Sequence, residues 1–281
     1  MKQGIYDISE AEYHADPCDE PSLSSSVAKV LIEQSPLHAW TIHPRFNPSP
    51  PSNESGPMDY GKAVHSVLLE NNTSGLVVVD ASDWRTKAAK TQREEARSLG
   101  KVPILKHQFD KVETMVSKAR DVLRTAEFTK DIWDKGRSEQ SIVWKDGNIW
   151  CRSRLDRVVE SANFIFDYKT TTNADPFYLC RRMLSQMGYD VQEAFYRRGY
   201  TAIFGKRPTF VFLFQEVEPP FACSLISPGP SMQALGDEKV SYAVKLWEKC
   251  TKSGHWPSYT TQVHFADADA WQMAAFAERT Q

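Results

Sequence analysis

FIFDYKT, residues 164–170, is the stretch that decides the fold of this chain. Apolar and aromatic residues lead into Asp167, so the acid stands at the mouth of a buried-type strand. Asp167 and Lys169 are two residues apart, and on a strand both project from one face while Phe166 and Tyr168 project from the other. Taken alone, an Asp and a Lys at this spacing form either an exposed ion pair or part of a phosphate-handling site. The neighbouring segments bear on which.

Immediately upstream, SEQSIVWKDGNIWCRSRLDRVVE (138–160) reads as two strands joined by a turn at Asp146-Gly147-Asn148, and a second turn at Glu160–Asn163 leads into FIFDYKT. Asp156 falls at the end of the strand before Asp167, where a hairpin brings the two alongside; Glu139 is one strand further back. Downstream, Pro176 to Phe204 reads as a helical stretch in which Gln192 and Tyr196 share a face. Both can reach a scissile phosphate, or Tyr196 can simply fill core. PTFVFLFQEV (208–217) is a buried-type strand, a further strand lies near FACSLIS (221–227), and residues 231–251 form an amphipathic helix with Val240, Ala243, Val244 and Trp247 inward.

The N-terminal part is mainly helical. Ser22, Ser24 and Ser25 offer caps for a helix carrying Val27, Val30 and Leu31. FNPSPPSNESGP (46–57) is irregular, either a flexible loop or an element that orders on substrate. MDYGKAVHSVLLE (58–70) is helical, with Ala63, Val64, Val67 and Leu68 as its buried stripe, and GLVVVD (75–80) is strand-like. A charged helical region runs from about Thr86 to Leu123, broken near VPIL, with helix again over about 104–125; a loop and short terminal helix end the chain. The expected architecture is one α/β (α+β) domain over 1–281: a mainly helical N-terminal part (1–135), a catalytic sheet and helix (136–230), and a C-terminal helix and tail (231–281).

A net charge of −2 and a pI of about 6.4 give no global nucleic-acid signature. Positive charge is local: between Arg137 and Arg207 the chain holds twelve Lys and Arg against eight Asp and Glu. Five scattered cysteines with no CxxC pair argue against a disulfide framework and a zinc ribbon, and suit a reducing cytoplasm. There is no cysteine cluster near the C-terminus to hold an iron–sulfur cluster, no apolar leader, and no membrane-length apolar run. His65, between apolar neighbours, reads by itself as a core or capping histidine as readily as a ligand; no GxSxG, Walker loop or GxGxxG occurs.

Phosphodiester hydrolysis calls for divalent ions on hard oxygen ligands, which Glu139, Asp156 and Asp167 supply, beside an ammonium such as Lys169. With these residues in place, the chain resembles the PD-(D/E)XK nuclease superfamily, and within it the RecE (exonuclease VIII) nuclease domain, a RecB-like nuclease. The likeness runs in order through GIYDISEAEYH, GKAVHSVLLE, SEQSIVW, CRSRLDRVV, FDYKTT, VQEAFYRRGY and PTFVFLF, across about residues 4 to 257. The one departure is Leu155 where the motif's name has proline.

The resemblance implies a restriction-endonuclease-like core, a central mixed sheet flanked by helices with an N-terminal helical extension. It makes His65, Asp156 and Asp167 metal ligands, Glu139 an organiser of the site, Lys169 the catalytic lysine, and Gln192 and Tyr196 the following helix motif. It implies Mg²⁺, with Mn²⁺ as substitute, and 5′ to 3′ degradation of linear double-stranded DNA that leaves 3′ tails for a RecT-like annealing protein in recombination. It also implies a ring-shaped homo-oligomer in the cytoplasm of a bacterial or phage-infected cell, with no membrane partner. Arg152, Arg154, Arg181, Arg182, Arg197 and Arg198 are the candidates for DNA phosphate contacts. The motifs leave open another polarity, a single-strand or endonucleolytic substrate, or a non-cleaving DNA-end-binding module.

Overall fold

The computed structural model describes residues 1–50, 56–183 and 186–279, without the side chains of 56–59, 182 and 183. Its centre is a seven-stranded mixed sheet in the order β1-β5-β6-β7-β8-β9, with β2 paired to β6. The strands are β1 (Gly4–Tyr6), β2 (Leu23–Ser24), β5 (Arg137–Asp146), β6 (Ile149–Val159), β7 (Phe164–Thr171), β8 (Thr209–Glu216) and β9 (Cys223–Ile226). Two further strands, β3 (Leu76–Val79) and β4 (Val102–Leu105), form a small parallel sheet of their own.

β5, β6 and β7 are consecutive antiparallel strands, as the two short turns between them require. Gly147 makes the first turn at φ 62°, and Asn163 the second at φ 51°, both residue types that tolerate the left-handed region. β7 and β8 are parallel over eight residue pairs, from Phe164 opposite Thr209 to Thr171 opposite Glu216, and therefore need a crossover helix between them. That helix is α8 (Tyr189–Phe204).

Both central strands are covered on both faces, which explains their nearly continuous apolar runs. Ile165, Phe210, Phe212 and Phe214 pack into one core with α2 (Ser25–Glu33), α8 and α9 (Pro230–Ser253). Phe164, Phe166, Tyr168, Val211 and Leu213 pack into a second core with α4 (Gly56–Leu69) and α6 (Lys106–Thr125). The result is a helix–sheet–helix sandwich. Smaller helices complete it: α1 (Glu10–His14), α3 (Pro36–Ile42), α5 (Lys87–Ser98), α7 (Pro176–Tyr178) and an exposed terminal α10 (Ala270–Arg279).

The structure corrects two expected helices. The one expected over 104–125 starts at Lys106, because Val102–Leu105 is drawn into strand pairing with β3. The one expected from Pro176 to Phe204 is broken: α7 runs into a π-turn at Leu179–Met183, and α8 starts only after Gly188, at φ 66°. Of the irregular 46–57 segment, residues 51–55 lie outside the described part.

Candidate active site

The site forms where the sheet's regular ladder lapses. In the β5–β6 register Ser138 pairs with Arg157 and Gln140 with Leu155, but the intervening pair, Glu139 and Asp156, is not made. Glu139 has φ 56°, a conformation few side chains other than Asn, Asp and Gly adopt readily. Extending the β6–β7 register from Arg157–Phe166 puts Asp156 opposite Asp167, and that pair is not made either. Alternation also slips in β6, since Leu155 and Val158, three apart, reach the same core. Three carboxylates thus converge on one row of three adjacent strands. Instead of a ladder bond, the Tyr168 backbone N–H donates to Asp156 Oδ2 at 2.8 Å.

His65 on α4 closes the row. Its Nδ1 lies 3.3 Å from Glu139 Oε1 and its Nε2 3.1 Å from Asp156 Oδ2. On the other side, Gln192 Nε2 of α8 donates to Asp167 Oδ1 at 2.6 Å, and the Lys169 ammonium contacts Asp167 Oδ2. Asp167 is fully buried. Lys169 in turn sits 5.6 Å above the Tyr189 ring. Arg154 holds the third acid: its Nε donates to Glu139 Oε2 at 2.5 Å while its guanidinium also donates to the Ile8 carbonyl at 2.6 Å.

Crowding these charges away from water sets their protonation. Burial raises the Glu139 carboxyl to about 7, against the pull of His65 and with the help of Asp156. Burial likewise raises Asp167 to about 7, with Asp156 adding to it and Lys169 opposing. Burial alone would lower the His65 imidazole, but Asp156 and Glu139 outweigh it and raise it to about 9. Asp156 is held below its ordinary value despite burial, by His65, Lys169 and the Tyr168 N–H. Lys169 is raised despite burial by Asp167 and Asp156.

The donor set fits a divalent cation. Ligand atoms of His65, Glu139 and Asp156 lie within 4.8 Å of one another. Among the described residues, buried Glu139 Oε1 accepts no hydrogen bond and faces the His65 ring, and buried Asp167 Oδ2 meets the Lys169 ammonium. Carboxylate oxygens with one imidazole suit a divalent metal that takes oxygen and nitrogen ligands rather than a thiophilic one. Glu139, which the resemblance makes an organiser of the site, stands among the potential ligands, as its carboxylate chemistry suggests.

The structure gathers His65, Glu139, Asp156, Asp167, Lys169 and Gln192 into this one place. Tyr196, one turn beyond Gln192, is buried in the core under α8 and is 8% exposed. Four of the six candidate phosphate-contact arginines are engaged with partners inside the fold. Arg152 is buried on Tyr13 and Ser22 and pairs with Asp16; Arg197 is buried on Glu193 and Asp237. Arg198 is spent on Asp146, Asp237 and Ser241, and Arg154 on Glu139. A guanidinium with its donors committed inside the fold is not free for phosphate. Arg181 is exposed, and the Arg182 side chain lies outside the described residues. Tyr189 was not anticipated; its place right after Gly188, where a helix restarts, was the available signal. Arg154's hold on Glu139 could have been suspected from its spacing, two residues before Asp156.

With this geometry in hand, comparison with known proteins is informative. Residues 24–269 match a family described as "PDDEXK-like domain of unknown function (DUF3799)". Among solved structures, the chain is similar to a Eubacterium rectale protein provisionally named an exonuclease. That likeness has a TM-score of 0.64 and 12% identity, over 96% of this chain and 99% of that one. At that identity it speaks to the fold alone. A second structure, SSO0001, aligns at 13% identity over 73% of this chain and 97% of its own with a TM-score of 0.29, too low to carry an argument. No curated protein matches the chain.

Proposed function

The chain belongs to the DUF3799 family of PDDEXK-like domains, a nuclease fold, and we propose that it works as a metal-dependent exodeoxyribonuclease on linear double-stranded DNA. The observation that carries this reading is the open rung that sets Glu139 and Asp156 beside Asp167, with His65 and Lys169 in contact with them. His65, Asp156 and Asp167, joined by Glu139, would hold Mg²⁺, or Mn²⁺ in its place. Bound there, divalent ions would neutralise phosphoryl charge and make hydroxide available near neutral pH.

The protein's own residues do the rest. Lys169, kept protonated and fixed between Asp167 and the Tyr189 ring, offers a positive charge where negative charge develops on the phosphoryl group. Gln192 fixes the Asp167 carboxylate from α8, and Arg154 fixes Glu139 from β6, so the oxygens are aligned before substrate arrives. Burial of Asp167 excludes bulk water from one side of the site.

The finer reading is 5′ to 3′ digestion that leaves 3′ single-stranded tails for a RecT-like annealing protein, by a ring-shaped oligomer in a bacterial or phage-infected cytoplasm. The resemblance to RecE supports it. Linear duplex DNA labelled at either the 5′ or the 3′ end tests it, with Mg²⁺ and with EDTA. Early Mg²⁺-dependent release of 5′ label is the expected result. Early 3′ release or internal cuts would remove the polarity and keep the chemistry; binding without cutting would leave a DNA-end-binding module. Among the described residues, no helix is long and apolar enough to cross a membrane.

A further inference from the structure

We propose that Lys62 is a DNA-phosphate-binding residue at the rim of the metal site, exchanging its present partner, Glu10, for a backbone phosphate when a strand enters. The inference rests on the nuclease reading above.

Two separate sets of contacts place Lys62 at the rim. On α4, Lys62 and His65 are three residues apart, so they share a face with Cβ atoms about 5–6 Å from each other. Gly61, the residue before, lies against the strand that carries Asp167 and Lys169: a Cβ added to it would stand 3.7 Å from Thr170 Oγ1. From the N-terminal segment, the Ile8 carbonyl accepts from the Arg154 guanidinium at 2.6 Å, and Arg154 Nε holds Glu139. Glu10 Oε1, two residues beyond Ile8 at the start of α1, lies 3.2 Å from Lys62 Nζ. These contacts close a ring that runs from His65 to Glu139, Arg154, Ile8, Glu10 and Lys62, and so back to α4. The Lys62 ammonium therefore stands at the edge of the carboxylates that would hold the metal.

Its pairing differs from those of Arg152, Arg154, Arg197 and Arg198 in being open to water. The Lys62 side chain is 47% exposed and that of Glu10 55%, and Glu10 is the ammonium's ion-pair partner among the described residues. An exposed ion pair of this kind is weak. Lysine is a compact point charge on a flexible stem, so it can turn from a carboxylate to a phosphoryl oxygen without movement of α4. Glu10 is not stranded by the exchange, since it stays in water with the same Oε1 3.7 Å from His14 Nε2. The charge of the site selects the occupant. Glu139, Asp156 and Asp167 repel a strand's phosphates, and Lys169 is engaged with Asp167, so a mobile cation at the rim supplies the attraction that the backbone of an entering strand requires.

The test measures binding of linear duplex DNA by the full chain in EDTA, over a series of salt concentrations. One phosphate contact contributes about 0.9 to the steepness of log affinity against log salt, which at 0.1 M salt amounts to about eightfold in affinity. Lys62→Ala should lose both, Lys62→Arg should keep both, and Glu10→Gln, which frees the ammonium, should tighten binding. That gain should shrink when Glu10→Gln is combined with Lys62→Ala. All four variants should melt with the unaltered chain, because neither side chain is buried. An unchanged slope in Lys62→Ala, or a Glu10→Gln gain as large without Lys62 as with it, would overturn the proposal. Cleavage in Mg²⁺ is followed in parallel. A shallower slope in Lys62→Ala with no cleavage by the unaltered chain would keep the phosphate contact and sink the nuclease reading. Cleavage by the unaltered chain with no change of slope in the variant would do the reverse.

Discussion

Glu139 and Asp156 face each other across the one rung missing from the β5–β6 ladder between Arg137 and Asp146, and His65 lies within 3.3 Å of both. In a regular ladder the two backbones would bond each other and their side chains would be spaced by the pleat. The left-handed Glu139 gives up that bond, and Arg154 steadies its carboxylate. Backbone strain of about 1–3 kcal/mol is the usual cost of such a residue, and it tends to collect where geometry serves a site.

The metal-free protein should lose stability as pH rises from about 5 to 9. Glu139 and Asp167 bind their protons up to about 7 in the folded state but release them near 4 when unfolded; His65 holds its proton up to about 9 folded, against 6.5 unfolded. In this window the folded state binds more protons, so raising the pH favours unfolding. A divalent ion must displace the same protons, so its affinity should rise over the same range. Melting temperatures measured across pH 5–9, with and without Mn²⁺, should diverge as pH rises. Parallel curves would count against the coupling.

Arg154 is expected to act through Glu139. Arg154→Ala should weaken Mn²⁺ binding by about 10- to 100-fold, the range typical of residues that orient metal ligands. Calorimetric titration gives the number. Affinity equal to that of the unaltered protein would show that Glu139 is held by other means.

Gly236 marks where α9 crosses α8. A Cβ there would come within 2.4 Å of the Asp190 backbone carbonyl and 3.0 Å of Ala194 Cβ, neither of which is a flexible tip. Gly236→Ala should cost about 1–3 kcal/mol in urea unfolding. Because α8 carries Gln192, cleavage should fall as well. A variant of normal stability would mean that the two helices separate easily.

Arg197 distinguishes a structural arginine from a phosphate contact. Removing it leaves Glu193 buried without its cation, so Arg197→Ala should destabilise the fold by about 3–5 kcal/mol. The salt dependence of DNA binding should keep its slope. A slope reduced by about one would return Arg197 to the DNA interface.

Much of this was legible in the sequence, for identifiable reasons. The strands from Arg137 to Thr171 announce themselves by short turns and apolar runs, and β8 by an unbroken apolar stretch. That Asp167 and Lys169 share a face follows from the two-residue period, and the apolar run and neighbouring strands around them mark the pair as part of a site. Other features depend on partners far away in the chain. The charges of Arg152 and Arg197 could be counted, but the acids that neutralise them could not be paired with them: Asp16 lies 136 residues before Arg152. Asp237 lies 40 residues after Arg197, across a helix–helix contact that sequence does not display. Glu139's left-handed backbone had no signal, since glutamate does not favour it. His65 looked like core because its neighbours Ala63, Val64, Val67 and Leu68 are core; only the resemblance singled it out.

The most direct test of the account is cleavage of linear duplex DNA by the unaltered chain and by Asp167→Asn, each with Mg²⁺ and with EDTA. The account predicts degradation by the unaltered chain in Mg²⁺ alone, and none by the variant, with both proteins folded. Full activity in Asp167→Asn, or undiminished cleavage in EDTA, would contradict it.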